Sequence, residues 1–379
     1  MKDFIYLDYN ATSPVDKRVL DAMLPYFSEK FGNASSKTHA FGWVADDVVK
    51  TARKQVAELI NCLDQEIVFT SGSTEAVNLA IKGVWDNYQT KGNHIITVKT
   101  EHKAVLDTCA HLEKKGADVC YLSVNRDGII DLEELKRAIN DQTILVAVMF
   151  ANNETGVIQP IQQIADITHQ YGAFFFCDAT QAVGKINVDV QEVGIDLLCL
   201  SAHKMYGPKG VGALYVRRKD PRVTLFPQMV GGGHERGLRS GTLNVTGIVG
   251  LGKACEIAKE EMKADSNRIY GLRYLLEENL CSAKGVFVNG NKEPRLYNTS
   301  NLCFSGHRSE TLIRQLPRIA VAMGSACASA LAEPSHVLKA MGLSDNDSYS
   351  SIRFSLGKYT SEEEINEVLR LFKGILSGQ

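Results

Sequence analysis

Through the first two-thirds of the chain, apolar residues fall in short, nearly unbroken runs separated by polar, periodic stretches. Ile67–Thr70, His94–Val98, Ala117–Leu122, Ile144–Met149, Ala173–Cys177 and Asp196–Leu200 are such runs, and Gly210–Val216 follows as another. Runs of this length without polar alternation predict strands buried on both faces. Between them, Leu132–Ile139 and Ile161–Tyr171 have the spacing of amphipathic helices. Alternating strand and helix predicts a mostly parallel sheet wrapped by helices. After about Gly250 the pattern changes to a long helical stretch ending near Glu278, then mixed short strands and helices. The last segment opens with a capping-box pair, Ser361 and Glu364, and sets Ile365, Val368, Leu369, Phe372 and Leu376 on one helical face. The expected organisation is a large α/β domain over residues 14–255 and a smaller α+β domain over residues 1–13 and 256–379. No repeat or low-complexity linker interrupts it.

Composition narrows the function classes. The 379 residues are 44% hydrophobic and 23% charged, with a net charge of -2, as in an ordinary globular protein. No long basic run argues for a nucleic-acid surface, and no apolar stretch approaches the roughly 20 residues that span a bilayer. Met1–Ile5 lacks the apolar core of a signal peptide, so a cytoplasmic location is expected. Nine cysteines, odd in number, scattered and without a Cys-x-x-Cys pair, point to a reducing compartment. They argue against a disulfide framework or a metal site. Most lie inside apolar runs and are expected to be small buried hydrophobes.

Seven segments carry candidate chemistry. Lys204, in Ser201–Gly210, follows an apolar strand and precedes Gly-Pro. A lysine held there can form a Schiff base with an aldehyde, and desolvation would lower its pKa; the alternative is a surface lysine in a turn. Asp178 follows the aromatic run Phe174–Phe176 and needs a buried partner, either a protonated pyridine nitrogen or the start of a helix. Lys204 comes 26 positions later, about one β-α-β unit, so both emerge at one sheet edge. Ser71–Thr74, with Ser73 and Thr74 at a helix start, can cradle phosphate, although such residues also cap helices for structural reasons alone. His102 could stack on a flat ring or be an ordinary loop residue. Asn153 could offer an amide to an oxygen or sit in a simple turn. Cys327, among small residues in Met323–Ser335, suits a travelling thiol or a tight packing turn. Arg353, in Ser351–Gly357, suits a substrate carboxylate or an exposed strand position.

Together with Leu7–Thr12, Asp178–Gln181 and Gly231–Thr242, these segments resemble cysteine desulfurases of the IscS/NifS type, in the class V aminotransferase family. The resemblance covers nearly the whole chain. It implies pyridoxal-phosphate fold type I, an α/β domain with a mostly parallel seven-stranded sheet plus a smaller α+β domain, assembled as a homodimer. It implies that pyridoxal 5'-phosphate is held covalently by Lys204. Asp178 would face the pyridine nitrogen, Gln181 the ring hydroxyl and His102 the ring face. Ser73, Thr74, Ser201 and His203 would hold the phosphate, and Thr242 would reach it from a second subunit. Asn153 and Arg353 would orient the carboxylate of L-cysteine. Cys327 would attack the substrate sulfur, leaving alanine and a persulfide for a sulfur-acceptor protein.

The stretch after Cys327 resembles the group with an extended loop and lacks the arginine-glycine-histidine-cysteine pattern of the short-loop group. Gln379 falls soon after the last helix, whereas longer members continue into a tail that docks an iron–sulfur scaffold. The acceptor therefore stays open between cluster assembly, tRNA thiolation and DNA phosphorothioation. Two other functions stay open: another class V enzyme, such as a selenocysteine lyase or aminotransferase, and a non-catalytic sulfur-relay scaffold.

Overall fold

The computed structural model describes residues 4–290, 294–323 and 333–376. Its strands are β1 (Ile5–Tyr6), β2 (Ile67–Thr70), β3 (His94–Val98), β4 (Asp118–Leu122), β5 (Thr143–Ala147), β6 (Phe174–Asp178) and β7 (Leu197–Ser201). They continue as β8 (Gly212–Val216), β9 (Val286–Val288), β10 (Thr299–Phe304), β11 (Ile319–Ala320), β12 (Ala322–Met323) and β13 (Ser351–Ser355). The large sheet has seven strands in the order β2-β8-β7-β6-β5-β3-β4. Only β8 runs against its neighbours, antiparallel to both β2 and β7. The mostly parallel sheet expected from the apolar runs, with the seven strands that the resemblance implies, is therefore present.

Both faces of this sheet are covered, which is why its strands lack polar alternation. Phe175, Cys177, Leu198 and Leu200 enter a core on one face, and Phe176, Leu197, Cys199 and Leu214 enter a core on the other. Because β8 is the one reversed strand, β2, β3, β5, β6 and β7 all end at the same edge. The loops leaving that edge are where an open α/β sheet binds its ligands.

A second sheet, ordered β12-β13-β10-β9, packs under the last helix, Glu362–Leu376. The expected capping box forms, with Glu364 N–H donating to Ser361 Oγ at 3.2 Å and Ser361 N–H to Glu364 Oε2 at 3.0 Å. Phe372 stacks on Phe304 at 5.3 Å and meets Phe354 edge-on at 5.7 Å. Such aromatic pairs contribute about 0.5–1.5 kcal/mol each beyond their area.

One helix, Val245–Cys281, joins the two regions. Its 37 residues span about 55 Å at 1.5 Å per residue. Ile248, Leu251 and Cys255 enter the core beside the large sheet, while Ile269, Leu272 and Leu276 enter the core of the second sheet. The N-terminal strand crosses the other way: β1 pairs with β11, and Leu7 belongs to the second core.

Candidate active site

Each strand ending at the shared edge delivers one functional turn. After β2, Gly72 precedes helix Ser73–Tyr88, whose first peptide N–H groups lack helical partners. Gly72 has φ 155°, a backbone conformation that side chains rarely adopt, and it lies beside Ser201, where an added Cβ would stand 3.9 Å from Oγ. Ser73 Oγ meets Thr180 Oγ1 at 2.6 Å, tying the cup to the loop after β6. After β3, His102 caps helix Lys103–Glu113, its Nδ1 accepting from Ala104 N–H at 3.1 Å. Asp178 is the last residue of β6, and its Oδ1 accepts from Thr180 N–H at 2.9 Å. After β7 the chain makes a single turn, Ala202–Lys204.

These turns enclose a cleft of about 780 Å³. Ser73, Thr74, His102, Asn153, Asp178, Gln181, Ser201, His203, Lys204 and Arg353 all line it. Thr242 does not; it is exposed in the loop before the long helix. Cys327 lies outside the described residues. The residues bounding that segment, Met323 and Glu333, both line the cleft.

The electrostatics of the cleft suit nucleophile and anion chemistry. Lys204 Nζ donates to the carbonyls of Asn10 and Ala11, each at 2.7 Å. Burial, helped by the Arg353 charge, brings its pKa down to about 8, against the opposing pull of Asp178 and Asp8. Burial, then Lys204 and Lys209, lowers His203 to about 4, so its ring is neutral and hydrogen-bonds Thr12 Oγ1 through Nδ1 at 3.1 Å. Arg353 is buried, which excludes the exposed strand position. Its Nη1 donates to Asn153 O at 2.9 Å and its Nη2 pairs with Asp8 at 2.6 Å.

Four residues outside the sequence-derived set hold this arrangement. Asn10 is its hub: its carbonyl accepts from Lys204 and from Gln181 Nε2, the latter at 3.0 Å, and its amide donates to Asn153 O at 3.1 Å. Lys185, fully buried, donates to Gln181 Oε1 at 2.6 Å. Glu101 sits beneath His102 and accepts from the N–H groups of Met149 and His102; burial, then Asp178, pushes its carboxyl well up. Glu154 accepts from Ser335 Oγ–H at 2.6 Å. Of these, Asn10, Glu101 and Glu154 lay in segments that carried the resemblance, but no local pattern marked any of them as a site residue.

The cleft fits pyridoxal phosphate. It offers an anion cup at a helix start, a buried carboxylate at a neighbouring strand end and an amine that is partly neutral near pH 8. Residues 5–368 match the aminotransferase class-V family, and the chain belongs to that family of pyridoxal-phosphate enzymes. Within it, the chain is 54% identical over 372 residues to the "Cysteine desulfurase IscS" of Anaeromyxobacter sp. strain Fw109-5, covering 98% of this chain and 92% of that one. Among solved structures, a "NifS-like protein" superposes with a TM-score of 0.92 at 38% identity, covering 99% of this chain and 100% of that one. The structure of "SspA in complex with cysteine" does so with a TM-score of 0.83 at 36% identity, covering 94% and 100% respectively. Among the described residues no group of side chains has the make-up of a metal site, and no helix is long and apolar enough to cross a membrane.

Proposed function

We propose that this chain is a pyridoxal-phosphate-dependent cysteine desulfurase that takes the sulfur of L-cysteine onto Cys327 as a persulfide and releases L-alanine. One observation carries the reading: apart from Thr242, the described residues expected around cofactor and substrate line a single cleft, with Met323 and Glu333, on either side of the cysteine segment, on its wall. The cysteine-bound SspA structure and the desulfurase relatives support the substrate.

Bound pyridoxal phosphate supplies a ring that withdraws the electrons left when the substrate loses its Cα proton. The first turn of helix Ser73–Tyr88, with Ser73, Thr74, Ser201 and His203, holds the phosphate. Asp178 would keep the ring nitrogen protonated, Gln181 would donate to the ring oxygen and His102 would cover the ring face. Lys204 would hold the cofactor and would carry the Cα proton, since an amine with a pKa of about 8 can both take and return it. Asn153 and Arg353 orient the substrate carboxylate. The Cys327 thiolate attacks the substrate sulfur: an S–S bond forms, the C–S bond breaks, and its electron pair stays with carbon, which is reprotonated to give alanine. Cys327 then passes its outer sulfur to an acceptor protein.

A homodimer completes the site, with Thr242 entering the partner's phosphate cup. The exposed Phe27, Phe31, Phe41 and Trp43 support such an interface, since apolar residues in this concentration are unusual on a monomer's surface. Residues 14–255 form the cofactor-binding unit, and residues 1–13 with 256–379 form the unit carrying the cysteine. The free cysteines of the described chain agree with a reducing, cytoplasmic setting.

Mass spectrometry after addition of L-cysteine tests the reading. The Cys327 peptide gains one sulfur atom while alanine accumulates, and Cys327→Ser abolishes both. Undiminished persulfide or sulfide formation in Cys327→Ser would refute it.

A further inference from the structure

Among the described residues, Lys185 is the one buried lysine behind the cleft, and the mechanism assigns it no step. It lies in the turns that follow β6, behind Gln181, and is 6% exposed. No carboxylate pairs with it among its hydrogen bonds. Its Nζ donates to Gln181 Oε1 at 2.6 Å and to Asn10 Oδ1 at 3.2 Å. Burial, then the charges of Lys204 and Arg353, holds its pKa well below that of an ordinary lysine. Two oxygens therefore take two of its N–H donors.

The consequence falls on Gln181. An amide with its oxygen held from behind has only N–H donors left for the other side. One of these reaches Asn10 O at 3.0 Å, the same carbonyl that receives Lys204 Nζ at 2.7 Å. Gln181 also lines the cleft. Asn10 is oriented the same way: its Oδ1 accepts from Lys185 and from Asn298 Nδ2 at 3.2 Å, leaving its Nδ2 to donate to Thr299 Oγ1 at 2.9 Å. Without the Lys185 donor, the Gln181 amide could turn by half a rotation and present its oxygen to an electron-rich ring oxygen.

We propose that Lys185 is a positioning residue that holds the Gln181 amide with its nitrogen toward the cofactor's ring oxygen. The proposal rests on the reading that Gln181 faces that oxygen. It predicts that Lys185 acts on the cofactor only through Gln181.

The readout is the pH midpoint of the visible absorbance of bound pyridoxal phosphate in the holoenzyme, measured for Lys185→Met, Gln181→Ala and the double variant. Losing an N–H donor to an anionic oxygen leaves that oxygen more basic, so each single variant raises the midpoint by about one pH unit. The double variant shifts no further than Gln181→Ala alone. Lys185→Gln, which keeps an amide donor, restores at least half of the shift and serves where Lys185→Met does not fold. An unmoved midpoint in Gln181→Ala would sink the reading of Gln181 and the proposal with it. A shift in Gln181→Ala without one in Lys185→Met would overturn the proposal alone. So would additive shifts in the double variant, or a Lys185→Gln midpoint as displaced as that of Gln181→Ala.

Discussion

Arg353 Nη2 stands 2.6 Å from Asp8 Oδ1, so the guanidinium expected to grip a substrate carboxylate already holds a carboxylate of its own chain. Its Nη1 is taken by Asn153 O at 2.9 Å, and its Nε is buried with no partner among the described residues. An unsatisfied buried donor costs on the order of 1–3 kcal/mol, which an arriving carboxylate would relieve. Asp8 therefore competes with the substrate for the fork. Asp8→Asn keeps an acceptor but removes the competing charge, and the KM for L-cysteine falls by about three- to tenfold with a smaller change in kcat. Arg353→Lys loses the fork while keeping the charge, and KM rises by about tenfold or more. Steady-state kinetics check both, and an unchanged KM in both variants removes Arg353 from substrate binding.

The Lys204 amine sits at about pH 8 because burial and the Arg353 charge outweigh the pull of Asp178 and Asp8. Only the neutral amine is a nucleophile. Uptake of pyridoxal phosphate by the apoprotein therefore speeds up as pH rises through about 8 and levels off above it. Arg353→Met removes a neighbouring cation, so the Lys204 pKa rises and the profile moves alkaline by up to about one pH unit. Stopped-flow absorbance across pH measures the midpoint. Lys204→Ala yields a protein that binds the cofactor without developing its visible band.

Much of the fold was legible because both faces of the large sheet are buried. Apolar runs placed β2 at Ile67–Thr70 and β3 at His94–Val98, and the other strands of the large sheet differ from expectation by only one or two residues at their ends. Asp178 is one informative difference. The strand was expected to stop at Cys177, yet Asp178 pairs with Cys199, so β6 itself seats the carboxylate. The long helix also starts earlier than Gly250, at Val245, because Asn244 caps it by accepting from Gly247 N–H at 3.0 Å. The candidate site was legible wherever a chemically distinctive residue ends a strand, as Asp178 does, or sits in the turn just after one, as Lys204 does. Asn10 was not, because its partners come from residues 153, 181, 185, 204, 298, 299 and 355, a convergence that only tertiary structure creates. Lys185 was hidden for the same reason, since nothing in a turn sequence says that its lysine points inward. Cysteine burial was read correctly for Cys177 and Cys199, while Cys62, Cys120 and Cys281 are only partly covered.

Arg53 and Glu235 form a buried, two-pronged ion pair at 2.6 and 2.7 Å, and Phe69 N–H also donates to Glu235 at 2.8 Å. The Arg53 guanidinium lies over the Phe69 ring at 4.5 Å. This pair clamps the glycine-rich segment before Thr242 against β2, with Glu235 and Arg236 in left-handed backbone conformations at φ 49° and 58°. Glu235→Ala strands the Arg53 charge, and unfolding of the holoenzyme becomes easier by about 3–5 kcal/mol. Denaturant titration measures the loss. A change below about 1 kcal/mol would mean that the guanidinium finds water or another partner.

Glu154 couples stability to pH near neutrality. Burial raises its carboxyl to about 7, although Ser335 Oγ–H and the Arg353 charge both favour the ionised form. The ordinary value is 4.5. Below pH 4.5 the group is protonated folded and unfolded alike, and its contribution to stability is whole. Between 4.5 and about 7 the unfolded chain releases the proton while the folded chain keeps it, so the unfolded state gains and stability falls. The decline is about 1.4 kcal/mol per pH unit and roughly 3 kcal/mol across the window, with none beyond it. Glu154→Gln keeps an oxygen to accept from Ser335 and has no proton to lose. The Tm of Glu154→Gln minus that of the unaltered protein should therefore climb from pH 5 to pH 7 and stay level above. Comparing the two proteins at each pH cancels the titration of every other group. A difference that stays flat across that window would show that the Glu154 carboxyl ionises in the folded protein as freely as it does in water.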